Sequence, residues 1–459
     1  MLRIALALAL LAPAACANRA KHSIALYESG DYAGSVRAAD EGLASHPDDD
    51  GLWAMKVRGE LALGNAEATA SAYDQYVARR GDDDKELLRD LATAALGQAL
   101  ASPSVRMKIA AIEAIERIEI HALTDQVAER MGDDDDRVAA AAAIAVLRGI
   151  PGAPQVAADL LHSEKAEARR IIIEGVARKF RELAIPDLEQ AAKDRDVGVR
   201  RAAIRWLGEL SDRDAVELLA RHLKDPDEHV RAASARALAR IGAGDLAGFA
   251  HQALADRSLA VRLAGIELLA AAKADAELIA LTDDADPMVA AQAAIEVKPS
   301  RPELAPKAIA RAVAAESWTI RAGAANLLVQ ALGKEAARPF AQKLVADPDL
   351  GVRLAAARVL VQLGDDATAR PVFAAALADP AHGVQAAADL AALDDPAGVQ
   401  ALSAFVRDLT RTPEERATAV AAHRSAHRVT GGLVAALADP DGLVRVEAAA
   451  ALGMLAKER

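Results

Sequence analysis

Residues 225–242 read DPDEHVRAASARALARIG, and this stretch decides the fold. The Asp-Pro pair that opens it marks a turn, because proline cannot continue a helix but suits its first turn. Apolar residues from Val230 onward recur at helical spacing on one face. Gly242 ends the helix, where a left-handed residue is needed. A second, shorter apolar pattern follows over residues 246–254, so the unit is predicted to be two antiparallel helices.

The same unit recurs along the chain. An anchor residue, apolar in every unit except the one at Glu415, precedes an alanine-rich helix, and arginine follows the anchor directly in nine of twelve units. Successive anchors are spaced by about 31 residues, and aspartate lies five positions before eight of them. Such a period predicts stacked helical repeats. The anchors are Val105, Val138, Ala168, Val199, Val230, Val261, Val289, Ile320, Val352, Val384, Glu415 and Val444.

This array resembles HEAT repeats, in particular the short alanine-rich form associated with phycobilisome lyases. The resemblance implies an all-α superhelix of about twelve repeats over residues 101–459, with one helix row lining a concave binding face. Each repeat is expected to contact only its neighbours, so a fragment ending after Gly242 is predicted to fold. Pro299, Pro302 and Pro306 interrupt the array, either as a bend or as a long turn.

A different and slightly longer period precedes the array. Gly30-Asp31 recurs as Gly64-Asn65, and the acidic run at 48–50 recurs at 82–84. Together with Trp53 and Tyr73, these markers resemble tetratricopeptide repeats within residues 20–100, with residues 85–100 as a capping helix. The resemblance implies a second surface that binds peptides or helices.

The first residues have the pattern of an export signal. A positive start is followed by an uncharged apolar stretch, too short to span a membrane, and then by Cys16. This resembles a bacterial lipoprotein signal, in which residues 1–15 are removed and Cys16 carries the lipid. Ala17 after the cysteine favours the outer membrane in that family.

The alternative is conventional cleavage. Pro13 stands where the lipoprotein family usually has leucine, and both Ala14 and Ala17 end small-x-small patterns. Either interpretation predicts an exported protein, in the periplasm or at the outer membrane; lipidation would also make it membrane-anchored.

Composition excludes several function classes. The chain has 459 residues, of which 53% are hydrophobic and only 3% aromatic, and its net charge is −12. Few aromatics predict thin, closely packed helical layers, and the acidic balance argues against nucleic acid as a partner. A single cysteine excludes an intrachain disulfide, a thiolate zinc site and an iron–sulfur cluster.

The recurring arginines have two interpretations. A basic stripe could bind an anionic partner. The favoured interpretation is structural: each arginine is expected to bond an aspartate of its own or a neighbouring repeat, as is common in HEAT families. The arginines assigned to this ladder are Arg200, Arg231, Arg262, Arg353 and Arg445.

Polar residues six positions after the anchor form the candidate partner-binding ridge. The helical period places them on the inner helix row, which lines the concave face of a solenoid. Ordinary solvated surface is the alternative for each residue taken alone. The ridge residues are Arg205, Arg236, Glu267, Asn326 and Arg358.

Two clusters could suggest metal sites. His423 and His427 lie four positions apart, but the motif lacks a zincin glutamate and a nearby third ligand, so exposed imidazoles are expected. The run Asp133–Asp136 lacks the alternating spacing of a calcium loop and is expected to complement a helix N-terminus.

Enzymes with HEAT repeats provide a further test. The chain has no His-Glu dipeptide of the deoxyhypusine hydroxylase kind and no cysteine cluster of the epoxyqueuosine reductase kind. We therefore expect a noncatalytic protein-binding scaffold or adaptor of the bacterial envelope, without a cofactor. The alternative is an enzyme or enzyme-accessory factor of the bilin-lyase-like HEAT family.

Overall fold

The computed structural model describes residues 20–426 and 429–458. Every regular element in these ranges is a helix, which confirms the predicted all-α class. The chain divides into two units: unit 1 comprises Met1–Ile150 and Phe373–Arg459, and unit 2 comprises Pro151–Val372. The described residues before position 151 and after position 372 therefore belong to the same unit.

The N-terminal part of unit 1 begins with two antiparallel helix pairs. Gly30 and Gly64 end the first helix of each pair with positive φ angles of 84° and 76°, a conformation that glycine adopts without strain. The helices of this part are α1 (Lys21–Glu28), α2 (Tyr32–Ser45), α3 (Asp50–Ala62), α4 (Ala66–Arg80), α5 (Lys85–Leu100), α6 (Val105–Ile118), α7 (Thr124–Glu129) and α8 (Asp136–Ala145).

Unit 2 alternates longer helices, which carry the anchors, with helices that are mostly shorter. The full series is α9 (Ala153–Leu160), α10 (Ala166–Phe180), α11 (Ile185–Ala191), α12 (Val197–Glu209), α13 (Val216–His222), α14 (Glu228–Ile241), α15 (Leu246–Leu254), α16 (Leu259–Ala271), α17 (Asp275–Leu281), α18 (Pro287–Glu296), α19 (Leu304–Val313), α20 (Trp318–Leu332), α21 (Lys334–Leu344) and α22 (Leu350–Gln362), with α23 (Asp366–Ala376) crossing the boundary between the units. The anchor helices here are α10, α12, α14, α16, α18, α20 and α22.

Small residues let successive anchor helices of unit 2 pack closely. The anchors Val199 and Val230 are fully buried, with alanines beside them. Where α12 meets α14, a Cβ added to Gly208 would lie only 2.7 Å from the Cβ of Ala237. The abundant alanine therefore has a structural role, because a larger side chain at such contacts would push the helices apart.

The proline-rich interruption is a long turn. Helix α18 ends at Glu296 and α19 begins at Leu304, and these two helices pack against each other and against α20. Arg301 N–H donates to Val297 O at 2.7 Å and closes the turn. The repeat is thus intact, and of the two alternatives the turn is the one observed.

The C-terminal part of unit 1 has five further α-helices among its described residues. Short 3-10 turns follow α26 and α27. The helices are α24 (Gly383–Ala391), α25 (Pro396–Arg407), α26 (Pro413–Ala422), α27 (Gly431–Ala435) and α28 (Gly442–Glu458).

The last helices pack against the first part of the chain. Helix α28 lies against both α5 and α6, and α27 lies against α4. The approach is close, because a Cβ added to Gly431 would come within 2.1 Å of Ala70 O. Gly431 N–H also donates to Asp74 Oδ1 at 2.7 Å.

This docking corrects the expectation that each repeat contacts only its sequence neighbours. The period describes local stacking and carries no information on what covers the first helices, so α5 was predicted to be a cap. In the structure α5 is covered by α28, and Lys457 Nζ lies 2.8 Å from Glu119 Oε2 just beyond α6. A fragment ending after Gly242 would lose this cover, so the prediction that it folds lacks its physical basis.

Candidate functional site

Six of the nine repeated arginines connect adjacent repeats. In the clearest case, Arg231 Nε and Nη2 donate to the two carboxylate oxygens of Asp256 at 2.7 and 3.0 Å. Arg262 makes a single bond of 2.7 Å to Asp286. Paired bonds of 2.6–3.0 Å also join Arg169 to Asp194, Arg200 to Asp225, Arg321 to Asp347 and Arg416 to Asp439.

The same arginines also bind the turn of their own repeat. Arg231 Nη1 donates to Asp225 O at 2.9 Å and to Pro226 O at 3.1 Å. Arg353 and Arg445 make the corresponding bonds, to Asp347 O at 2.8 Å and to Asp439 O at 2.6 Å, but among the described residues neither donates to an aspartate side chain of another repeat. One guanidinium thus satisfies carbonyls before its helix, and its remaining donors are available to the next repeat.

Four of the aspartate partners, Asp194, Asp225, Asp256 and Asp347, have a lowered pKa. Hydrogen bonds from Arg231 lower the pKa of Asp256, burial opposes this effect, and Ser258 N–H adds a bond of 2.8 Å that favours the charged form. At Asp194 burial is the largest influence and raises the pKa, but bonds from Arg169 and from a backbone N–H outweigh it. Each carboxylate thus joins an arginine to the start of the following helix.

One member of this series was missed in the sequence. The side chain of Arg106, which follows the first anchor, is 68% exposed, and its Nη1 lies 3.7 Å from Glu414 Oε1. Lys108 occupies the ladder position instead, with Nζ 2.6 Å from Asp133 Oδ2. Its separation from the aspartate along the chain equals that in the pairs from Arg169, Arg200 and Arg231, and this shared offset could have identified it.

The candidate ridge residues all lie on anchor helices of unit 2. Arg205 Nη2 lies 3.1 Å from Glu174 Oε1 of the preceding anchor helix, and Arg236 Nε lies 3.2 Å from Glu267 Oε1 of the following one. Asn326 is exposed and Arg358 is partly exposed. The ridge therefore lies at the surface, and one ion pair, between Arg236 and Glu267, joins two of its members.

His423 corrects the expectation of exposed imidazoles. Its side chain is fully buried, with Nδ1 3.0 Å from Ala419 O and Nε2 3.4 Å from Ser403 Oγ. Burial lowers the pKa of His423, which keeps the ring neutral. The sequence did not indicate the burial of His423, because the ring is covered through contacts between helices that no local sequence pattern encodes. His427 lies outside the described residues.

The acidic runs serve helix N-termini. Asp135 Oδ1 accepts the Arg137 N–H at 3.0 Å at the start of α8, and Asp49 and Asp84 cap α3 and α5. In the described ranges no three His, Cys, Asp or Glu side chains cluster so as to hold a metal ion. Among the same residues, no helix has the length and apolarity to cross a membrane. Cys16 lies outside them.

Sequence comparison identifies the repeats. Residues 185–247 and 305–394 match the model of HEAT repeats. The chain therefore contains HEAT repeats within an all-α superhelical fold. A comparison with curated proteins gave no significant match.

The following three solved structures resemble this chain at low sequence identity. The complex of CpcE and CpcF, the phycocyanin lyase of Nostoc sp. PCC7120, is 19% identical over 60% of this chain and 94% of that chain, with a TM-score of 0.28. YibA of E. coli is 18% identical over 63% and 99%, with a TM-score of 0.30. Human deoxyhypusine hydroxylase is 18% identical over 66% and 96%, with a TM-score of 0.27. Similarity at this level says nothing about the activity of the present chain.

Proposed function

We propose that this protein is a noncatalytic scaffold or adaptor of the bacterial cell envelope that binds protein partners on the exposed face of its anchor helices. The observation that carries the proposal is the ridge. Arg205, Arg236 and Glu267 project from neighbouring stacked helices and are 41–49% exposed. Side chains held at repeat spacing on rigid helices form an extended surface that a partner can recognise.

The ladder supports this role because it fixes the helices that carry the ridge. Each paired arginine and aspartate ties one repeat to the next, so the ridge side chains keep their spacing when a partner binds. A surface organised before binding loses less conformational entropy on association.

The cellular location rests on the sequence. We propose that the chain is exported through its N-terminal signal and anchored through lipid on Cys16, in the periplasm or at the outer membrane. The tetratricopeptide-like helices α1–α5 are a further proposed contact region. Because α28 covers part of α5, a partner of this region would use surfaces other than that covered face.

The anchor is tested by a Cys16→Ser variant. In the producing bacterium, this variant should move from the membrane fraction to the soluble periplasmic fraction, while the parent chain stays with membranes. Unchanged fractionation would contradict the lipid anchor.

The scaffold role is tested by affinity isolation of the mature chain from envelope extracts, side by side with an Arg205→Glu/Arg236→Glu variant. We expect specific partners with the parent chain and reduced amounts with the variant. Equal recovery would contradict binding on this face, and a purified protein that converts a small molecule would contradict the noncatalytic assignment.

A further inference from the structure

The exposed stripe of three successive anchor helices is rich in arginine. Positions two, six and ten after the anchor follow one another at i, i+4 and i+8 and face solvent in α12, where Arg201, Arg205 and Glu209 are exposed. Across α10, α12 and α14 the charged residues at these positions are six arginines and two glutamates. They are Arg170, Glu174, Arg178, Arg201, Arg205, Glu209, Arg236 and Arg240.

This excess contrasts with the rest of the molecule. The chain as a whole carries a net charge of −12. Farther along unit 2 the same stripe carries only one glutamate, Glu267 on α16, and one arginine, Arg358 on α22, and on α20 it consists of the uncharged Ala322, Asn326 and Gln330. The positive charge is therefore concentrated on α10, α12 and α14.

The three helices bring these arginines together. Helices α10 and α12 pack side by side, as do α12 and α14. The bond between Arg205 and Glu174 shows that stripe positions of adjacent helices are neighbours. Packed helices lie about 8–10 Å apart, which is close to the screening length in physiological salt, so the arginines share one positive field.

The two glutamates, together with Glu267, whose Oε1 lies 3.2 Å from Arg236 Nε, neutralise the stripe only in part. Glu174 lies within ion-pair distance of both Arg170 and Arg205, and Glu209 lies 3.8 Å from Arg205. Among the described residues, neither Arg201 nor Arg240 forms an ion pair. Both are exposed, so their guanidinium groups can bind a carboxylate from outside without breaking an internal bond.

We propose that this basic patch, defined by Arg170, Arg201, Arg205, Arg236 and Arg240, binds an acidic polypeptide segment of a partner protein. The inference rests on the proposed scaffold function and gives the chemistry of its partner. Separate carboxylates suit the site better than a continuous polyphosphate, because Glu174 and Glu209 lie between the arginines and the net charge of the molecule repels a large polyanion.

The test uses the full mature chain and a fluorescein-labelled oligoglutamate peptide. The parent chain should bind it in low salt and release it as salt rises, because exposed charges are screened. An Arg201→Glu/Arg240→Glu variant should bind on the order of tenfold more weakly. Unchanged thermal unfolding of the variant would show that it is folded.

The matched control is Arg221→Glu/Lys224→Glu, which changes the net charge equally at exposed positions on and after α13. It should change the affinity for oligoglutamate by less than about twofold, since it leaves the patch intact. Equal loss in both variants would overturn the proposal, because it would indicate attraction to net charge alone. Absence of oligoglutamate binding by the parent chain would overturn it as well, as would preferential binding of duplex DNA or of phosphatidylglycerol vesicles.

Affinity isolation with the Arg201→Glu/Arg240→Glu variant separates the inference from the scaffold function. If the partners isolated with the parent chain are recovered equally with Arg201→Glu/Arg240→Glu, the scaffold function stands and the patch assignment is wrong. If the parent chain binds oligoglutamate but isolates no envelope protein, the patch assignment stands and the scaffold function is wrong.

Discussion

At the scale of single residues, the ladder arginines are distinguished by their surroundings rather than by their sequence context. Arg231 and Arg106 both follow an anchor valine, yet Arg231 is 8% exposed and bonded to Asp256, whereas Arg106 extends into solvent. Only Arg231 completes a buried charge-assisted pair. The two residues therefore provide a matched comparison of the same substitution.

Arg231→Ala is expected to lower the free energy of unfolding by about 1–3 kcal/mol, because it leaves a largely buried Asp256 without its donor. Arg106→Ala should change it by less than about 0.5 kcal/mol. Urea unfolding followed by circular dichroism measures both. Equal losses in the two variants would show that the arginine acts through its helix position and not through the pair.

The pH dependence follows from the lowered pKa of Asp256. A carboxyl whose pKa is lower in the folded state contributes stability that is present above the unfolded value, about 4, and is lost as pH falls through the folded value. The difference in unfolding free energy between the parent chain and Asp256→Asn should therefore be largest at pH 6–7 and shrink as the pH falls below about 4. A difference that does not change between pH 7 and pH 3 would contradict the ionised pair.

The sequence predicts this residue-scale chemistry only where it repeats. The arginine after most anchors and the aspartate five positions before the next anchor recur often enough for the sequence to predict their pairing. Lys108 was missed, because it lies three positions after its anchor rather than one. The burial of His423 could not be inferred, because it depends on contacts between helices that no local pattern encodes.

At the scale of helices, the stacking of anchor helices follows from alanine and from the regular spacing of the anchors, and the sequence predicted it. The docking of α27 on α4 could not be predicted from the sequence, since these segments lie near opposite ends of the chain. Its local sign is Gly431, where any side chain would collide with the backbone of α4. Glycine near a helix start often supplies backbone freedom alone, so the role of Gly431 is clear only in the structure.

Gly431→Ala is expected to destabilise unit 1 by about 1–3 kcal/mol, because the new methyl group would overlap Ala70 O and force the helices apart. Gly132→Ala is the control, since a Cβ at Gly132 meets nothing within 4 Å. Thermal unfolding should show a lower midpoint for the first variant only. Identical midpoints would show that α27 and α4 do not pack closely in solution.

At the scale of the whole molecule, the division into two units leads us to expect that one fragment folds alone and that another does not fold completely. Residues 151–372 contain a continuous buried core from Ile173 to Val297 and should fold alone. The fragment ending after Gly242 lacks α28, which covers α5 and α6, and should expose apolar surface there. Hydrogen exchange should find slow amides across the first fragment and fast exchange in α5 and α6 of the second. Equal protection of α5 and α6 in the fragment and the full chain would contradict the docking.

The central claim is that the anchor-helix face of unit 2 binds protein partners. The most direct measurement is photo-crosslinking in the cells that produce the chain, with a benzophenone amino acid at Asn326 or Arg236 and, as control, at Arg221 on the other helix row. We predict discrete crosslinked proteins from the first two positions and not from Arg221. Absence of crosslinked proteins from Asn326 and Arg236, or the same products from all three positions, would contradict the account.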